Sequence, residues 1–84
     1  IREEDGNQAK TAWTLAHIGE IYKDNGDYDK AFQYFEKSLK LGEEFGDNKE
    51  IAWYLENMGN FYTIKSDYTK ALEYYQRSMK LSAM

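Results

Sequence analysis

Three side chains of the metal-ligand type recur on one predicted helical face in the first half of the sequence. His17, Glu20 and Asp24 are spaced at i, i+3 and i+7, which places nitrogen and oxygen donors side by side on a helix. Such donors can hold a divalent metal ion. Side chains of this kind on an exposed helix more often form a solvated surface, so we expect no metal site here.

The sequence offers little else for catalysis. His17 is its only histidine and it has no cysteine, so a Cys–His pair is impossible and a serine triad would depend on His17. Ser38 and Ser78 are better explained as small residues that let two helices approach. No glycine-rich phosphate loop is present. We therefore expect neither enzymatic activity nor a cofactor.

Composition limits the class of protein. In 84 residues, 42% hydrophobic and 31% charged side chains are typical of one small folded domain rather than a disordered chain. The net charge of -4 argues against nonspecific binding to nucleic acids and anionic membranes. No apolar run approaches the length that spans a bilayer. The absence of cysteine fits a reducing compartment, so we expect a cytoplasmic protein.

The sequence repeats itself after forty residues. Residues 12–44 align with residues 52–84 without a gap and are identical at 13 of 33 positions. The pattern Leu15-x-x-Ile18-Gly19 returns as Leu55-x-x-Met58-Gly59, which indicates two structural units of the same kind.

Apolar spacing of three and four residues predicts two helices, A and B, in each unit. We expect the first unit at residues 7–46, with helices at about 8–25 and 28–45. We expect the second at residues 47–84, with helices at about 48–65 and 68–82. Residues 1–6 align with residues 41–46 and are interpreted as the tail of a preceding repeat helix, so we interpret the chain as a piece of a longer array. The buried stripes of the first unit are predicted to contain Ala12, Leu15, Ile18 and Tyr22 on helix A, and Tyr28, Ala31, Phe32, Phe35, Ser38 and Leu39 on helix B.

Turn chemistry separates the predicted helices. Gly26 suits a left-handed position, and Asp27 can cap the helix that follows. Asp47-x-x-Glu50 has the spacing of a capping box. In the second unit Ser66 stands where the first has Gly26, so a left-handed backbone there would strain Ser66.

These residues resemble the tetratricopeptide repeat. Its signature has a large residue, Leu-Gly and Tyr on helix A, then Ala and an aromatic residue four positions later on helix B. The matching positions are Leu15, Ile18, Gly19, Tyr22, Ala31 and Phe35 in the first copy, and Leu55, Met58, Gly59, Tyr62, Ala71 and Tyr75 in the second. The signature Trp is replaced by Leu15 and Leu55, and the closing Pro is missing. The forty-residue period is similar to that of kinesin light chain and bacterial signalling arrays.

The resemblance implies an all-α fold of about four helices, in which antiparallel helix-turn-helix repeats stack as a right-handed solenoid. It also implies a protein-protein interaction scaffold whose concave groove is lined by helices A. The residues that would face this groove are Trp13, Ala16, His17, Glu20, Lys23 and Asp24 in the first copy, and Trp53, Glu56, Asn57, Asn60, Thr63 and Ile64 in the second.

Two pairs of these residues have alternative interpretations. Asn57 and Asn60 can grip a peptide backbone with donor and acceptor together, or they can be ordinary solvated residues. Trp13 and Trp53 can anchor a partner, or they can pack between neighbouring repeats.

The charge of the groove limits the partner. Glu20, Asp24 and Glu56 oppose Lys23 alone, so an acidic peptide would be repelled. We expect a neutral or basic protein segment as the partner.

Self-association is the second functional hypothesis. Two copies without a visible cap are fewer than a stable array normally needs, so apolar surface should stay open at both ends. Copies would then associate by stacking end to end, or by exchanging helices through a hinge at residues 45–48.

Overall fold

Four α-helices in sequence make up the fold. A computed structural model describes residues 3–83, which form α1 (Glu3–Asp24), α2 (Tyr28–Phe45), α3 (Asn48–Ile64) and α4 (Tyr68–Ser82). The predicted all-α helix-turn-helix class is confirmed. Ile1, Arg2 and Met84, which belong to the predicted repeat boundaries, lie outside the described residues.

The start of α1 differs from the sequence expectation. The structure continues α1 through Gly6, where the alignment places the end of a preceding helix. The counterpart Gly46 has an extended backbone (φ -97°, ψ 170°) and ends α2. The chain must turn at Gly46 because α3 packs against α2. Among the described residues no helix precedes α1, so nothing offsets the loss of helical hydrogen bonds at Gly6. The assignment of residues 1–6 to a preceding repeat stays a prediction.

An aspartate caps each of the three helices that follow a turn. The carboxylates of Asp27, Asp47 and Asp67 accept from the backbone N–H three residues later, at 3.4, 2.9 and 3.4 Å. Each bond satisfies one of the N–H groups that a helix leaves free at its first turn. The first two caps are those that the sequence indicates.

The turns inside the two repeats share one backbone conformation. Gly26 has φ 84° and Ser66 has φ 64°, so both residues are left-handed. The repeat therefore keeps the geometry of the turn although its second copy has lost the glycine, and Ser66 carries the strain expected from the sequence.

Close helix crossings hold each repeat together. A Cβ atom built on Gly19 would lie 3.0 Å from the Phe35 ring, and one on Gly59 would lie 2.6 Å from the Tyr75 ring. Glycine is needed at both positions because helix B meets helix A ring against backbone.

The two repeats also share a column of stacked tyrosines. Tyr22 stacks on Tyr34 with ring centroids 5.5 Å apart, and Tyr62 stacks on Tyr74 at 5.6 Å. A basic side chain lies over each of the four rings. Corresponding residues thus make corresponding contacts in both copies.

The core runs through both repeats and joins α2 to α3. Its buried residues are Ala12, Ala16, Ala31, Phe35, Leu39, Tyr54, Leu55, Met58 and Phe61. Leu15 and Ile18 are only half-buried, whereas their counterparts Leu55 and Met58 are buried. The difference follows from position, because α2 covers this face of α3 and no described helix covers it on α1.

Candidate binding surface on the first helices of the repeats

A cluster of three rings joins the first helices of the two repeats. The His17 ring lies 4.1 Å from Trp13 on α1, edge to face, and 5.5 Å from Trp53 on α3. Trp13 is 53% exposed, while Trp53 is half-buried and also contacts Tyr54. Each tryptophan therefore packs between repeats, and Trp13 also presents a large ring to solvent.

Glu20 fixes one side of the His17 ring. Its Oε1 lies 3.3 Å from His17 Nδ1, one helical turn along α1. The other ring nitrogen, Nε2, is buried and has no hydrogen-bond partner within residues 3–83. A hydrogen on Nδ1 that points to Glu20 would leave Nε2 as a free acceptor on this surface.

A shallow cleft opens beside the two tryptophans. It is lined by Trp13, Lys49, Glu50 and Trp53 and has a volume of about 380 Å³. Its two ionic side chains have opposite signs, so its formal charge is balanced and its largest walls are aromatic. Sequence reasoning missed Lys49 and Glu50 because they precede the residues that match the repeat signature.

The two asparagines on α3 have different surroundings. Asn57 is only 6% exposed, and its Nδ2 has no hydrogen-bond partner in the described part of the chain. It is therefore not a solvated surface residue. Asn60 is exposed, and its Oδ1 accepts a hydrogen bond from the Tyr75 hydroxyl of α4. Its amide hydrogens remain free to donate to a partner.

The other expected groove residues divide by burial. Ala16 is fully buried and cannot line an open groove, which corrects the expectation from the sequence. It faces the core because its small side chain allows α2 to approach. Asp24, Glu56, Thr63 and Ile64 are exposed, and Lys23 is half-buried.

Tyr54 lies beneath the tryptophan cluster and was not singled out from the sequence. It is 1% exposed and its hydroxyl has no partner among residues 3–83. Burial, and then the carboxylates of Glu50 and Asp47, raise its pKa to about 12. The sequence signal for it was Gly42, a second small residue inside helix B, because Tyr54 fills the space that this glycine leaves.

The possible ligands on α1 do not form a metal site. His17 and Glu20 are in contact, but the described residues contain no group of three or more His, Cys, Asp or Glu side chains placed to hold an ion. No helix within residues 3–83 combines the length and the apolar character needed to cross a bilayer.

Comparison with known proteins identifies the repeat. The tetratricopeptide repeat family matches residues 2–83, nearly the whole chain. No curated protein and no solved structure matches it. The two helix pairs have the architecture of this repeat, and the ring cluster lies on the first helices. The chain therefore belongs to the tetratricopeptide repeat family, whose members act as scaffolds for protein-protein interaction.

Proposed function

We propose that this protein holds an extended segment of a partner protein against the face formed by α1 and α3. One observation carries the proposal: a half-exposed tryptophan, Trp13, borders a cleft with Trp53 on this face. Exposed aromatic rings beside a concave surface are the residues that most often dominate the binding energy of a protein interface. A side chain of the partner would enter the cleft and displace water from both rings.

Hydrogen-bonding groups near the cleft support binding to a peptide backbone. Asn60 has amide hydrogens that can donate to a carbonyl of the partner, because its own oxygen is already held by Tyr75. His17 offers a ring nitrogen without a partner. Asn57 is buried, so it would join these contacts only after a side-chain shift.

The charge of the face favours a neutral or basic segment. Glu20, Asp24 and Glu56 outnumber Lys23, and the pair Lys49 and Glu50 adds no net charge. Like charges placed across an interface disfavour binding, so an acidic segment should bind most weakly.

Fluorescence anisotropy with three pools of labelled synthetic peptides, basic, neutral and acidic, tests this function. We expect the basic and neutral pools to bind, and Trp13→Ala to weaken binding at least about tenfold, which corresponds to about 1.4 kcal/mol. Leu72→Ala is the matched control, because Leu72 is similarly exposed but lies on α4. Equal binding by wild type and Trp13→Ala, or binding by no pool, would refute the proposal.

Self-association is a second candidate function, favoured by exposed apolar side chains at both ends of the stack. They are Ile21 on α1 and Tyr68, Leu72 and Met79 on α4. Solvent exposure of such residues in one patch is typical of protein interfaces. Copies can stack end to end or exchange helices through residues 45–48. A monomer that persists at high protein concentration in sedimentation velocity would rule out both modes.

A further inference from the structure

The contact between α2 and α3 shows how one repeat receives the next. Phe61 of α3 lies among three rings of α2, with centroids 6.4 Å from Tyr28, 5.6 Å from Phe32 and 6.2 Å from Phe35. Phe61 is 4% exposed as a result. Ring contacts of this kind, together with the burial of apolar area, are the main attraction between packed helices.

The same residues, shifted by forty positions, are uncovered at the two ends of the molecule. Tyr68, Leu72 and Tyr75 of α4 correspond to the three rings of α2, and Ile21 of α1 corresponds to Phe61. Tyr68 is 65% exposed, Leu72 57% and Ile21 63%. One end therefore carries an open receiving face, and the other end carries the side chain that such a face receives.

A second pair of positions fits the same register. At the internal contact Tyr54 lies so close to Gly42 that a Cβ built on the glycine would be 2.3 Å from the ring. Forty residues away, the larger Ser82 takes the place of Gly42, and the smaller Thr14 takes the place of Tyr54. The receiving side has gained volume where the inserting side has lost it, so the two ends remain complementary in size.

We propose that α4 of one copy binds α1 of the next copy, in the register in which α2 binds α3. The proposal specifies the partner and geometry of the self-association put forward above, and rests on it. Such a contact joins two different faces, so it is heterologous and leaves one free face at each end. The assembly therefore grows as a stack and does not stop at a dimer.

Stacking in this register would extend the tryptophan cluster across the junction. Trp13 of the next copy would lie beside Trp53, as Trp53 lies beside Trp13 within one chain. Asn57 would take the place that His17 has between them. The amide of Asn57, which lacks a hydrogen-bond partner in a single copy, would thus lie at the junction under an indole ring.

Exchange of volume at Thr14 and Ser82 tests the register by sedimentation velocity of the full chain. Thr14→Tyr should lower the association constant at least tenfold, because its ring meets Ser82. The double variant Thr14→Tyr with Ser82→Gly should regain wild-type association, because it rebuilds the internal pair. Both positions are exposed, and the helical content measured by circular dichroism should not change.

Mixing two blocked chains separates this geometry from other modes of association. The Thr14→Tyr chain keeps an intact α4, and a Leu72→Lys, Met79→Lys chain keeps an intact α1. Each should be monomeric alone, and together they should form a 1:1 complex that grows no further. Homodimers of either blocked chain would overturn the proposed register and indicate symmetric pairing or helix exchange.

Two further results keep the failure of this inference distinct from failure of the general hypotheses. Association of Thr14→Tyr equal to that of wild type, or no recovery in the double variant, would refute the register and leave self-association standing. A wild-type chain that stays monomeric would refute self-association itself. Peptide binding by monomeric Thr14→Tyr tests the α1 and α3 face independently of assembly.

Discussion

Addition of a single methyl group at Gly42 should destabilise the contact between the two repeats. A Cβ atom there would lie 2.3 Å from two carbon atoms of the Tyr54 ring. The ring is 1% exposed and is enclosed by the core, so it cannot turn out into solvent. The methyl group can be accommodated only if α2 and α3 move apart and loosen the contacts on both sides.

The magnitude follows from two opposing effects. Overpacking of a well-packed core costs about 1–3 kcal/mol, and the severity of this clash indicates the upper end of that range. Alanine is better than glycine inside a helix by about 1 kcal/mol, which offsets part of the cost. We therefore expect Gly42→Ala to lower the free energy of unfolding by about 2 kcal/mol. For a chain of this size such a loss lowers Tm by about 10 °C.

Urea unfolding followed by circular dichroism measures this difference, with all variants at one low protein concentration because association stabilises the folded state. Ser82→Ala is the matched control, since Ser82 holds the same position in the second repeat and no described helix covers it. It should change stability by less than about 0.5 kcal/mol. A Gly42→Ala chain as stable as wild type would refute the argument that ring and glycine are tightly packed.

Three further predictions concern other parts of the fold. The raised pKa of Tyr54 means that its stabilising contribution is present below pH 10 and is lost as pH rises towards 12, so Tyr54→Phe should escape about 2 kcal/mol of the alkaline destabilisation of wild type in urea titrations at increasing pH. Ser66→Gly should stabilise the chain by about 0.5–1 kcal/mol in thermal unfolding because it removes left-handed strain, and Gly26→Ser should destabilise it by a similar amount. Ser78→Ala should cost about 1 kcal/mol because its hydroxyl bonds a carbonyl of α3 at 2.8 Å, whereas Ser38→Ala, which loses a bond within its own helix, should cost less in the same assay.

Local signals in the sequence were sufficient for the helices and their ends. The bounds of α2 and the left-handed turns at Gly26 and Ser66 follow from apolar spacing and from the residues that can cap or break a helix. The family also follows from the repeated positions. These features depend on neighbours a few residues away, which a single sequence contains.

Features that depend on distant packing could not be predicted in the same way. Gly6 does not end a helix, although its counterpart Gly46 does, because termination there requires a second helix to turn towards. Asn57 follows the pattern of an exposed helix residue and is nevertheless buried. Tyr54 lies in the core although its counterpart is Thr14, so the repeat pattern gave no hint of its depth. For the binding surface, the sequence indicated the helices involved but not the burial of each side chain.

The position of the two tryptophans makes the chain its own optical probe. Both indoles contact His17, and the sequence contains no other tryptophan. Light emitted on selective excitation of indole therefore comes from a single patch of the molecule. A peptide that settles on this patch should shift the emission spectrum without any dye, whereas a change confined to the outer side of α4 should leave the spectrum as it was.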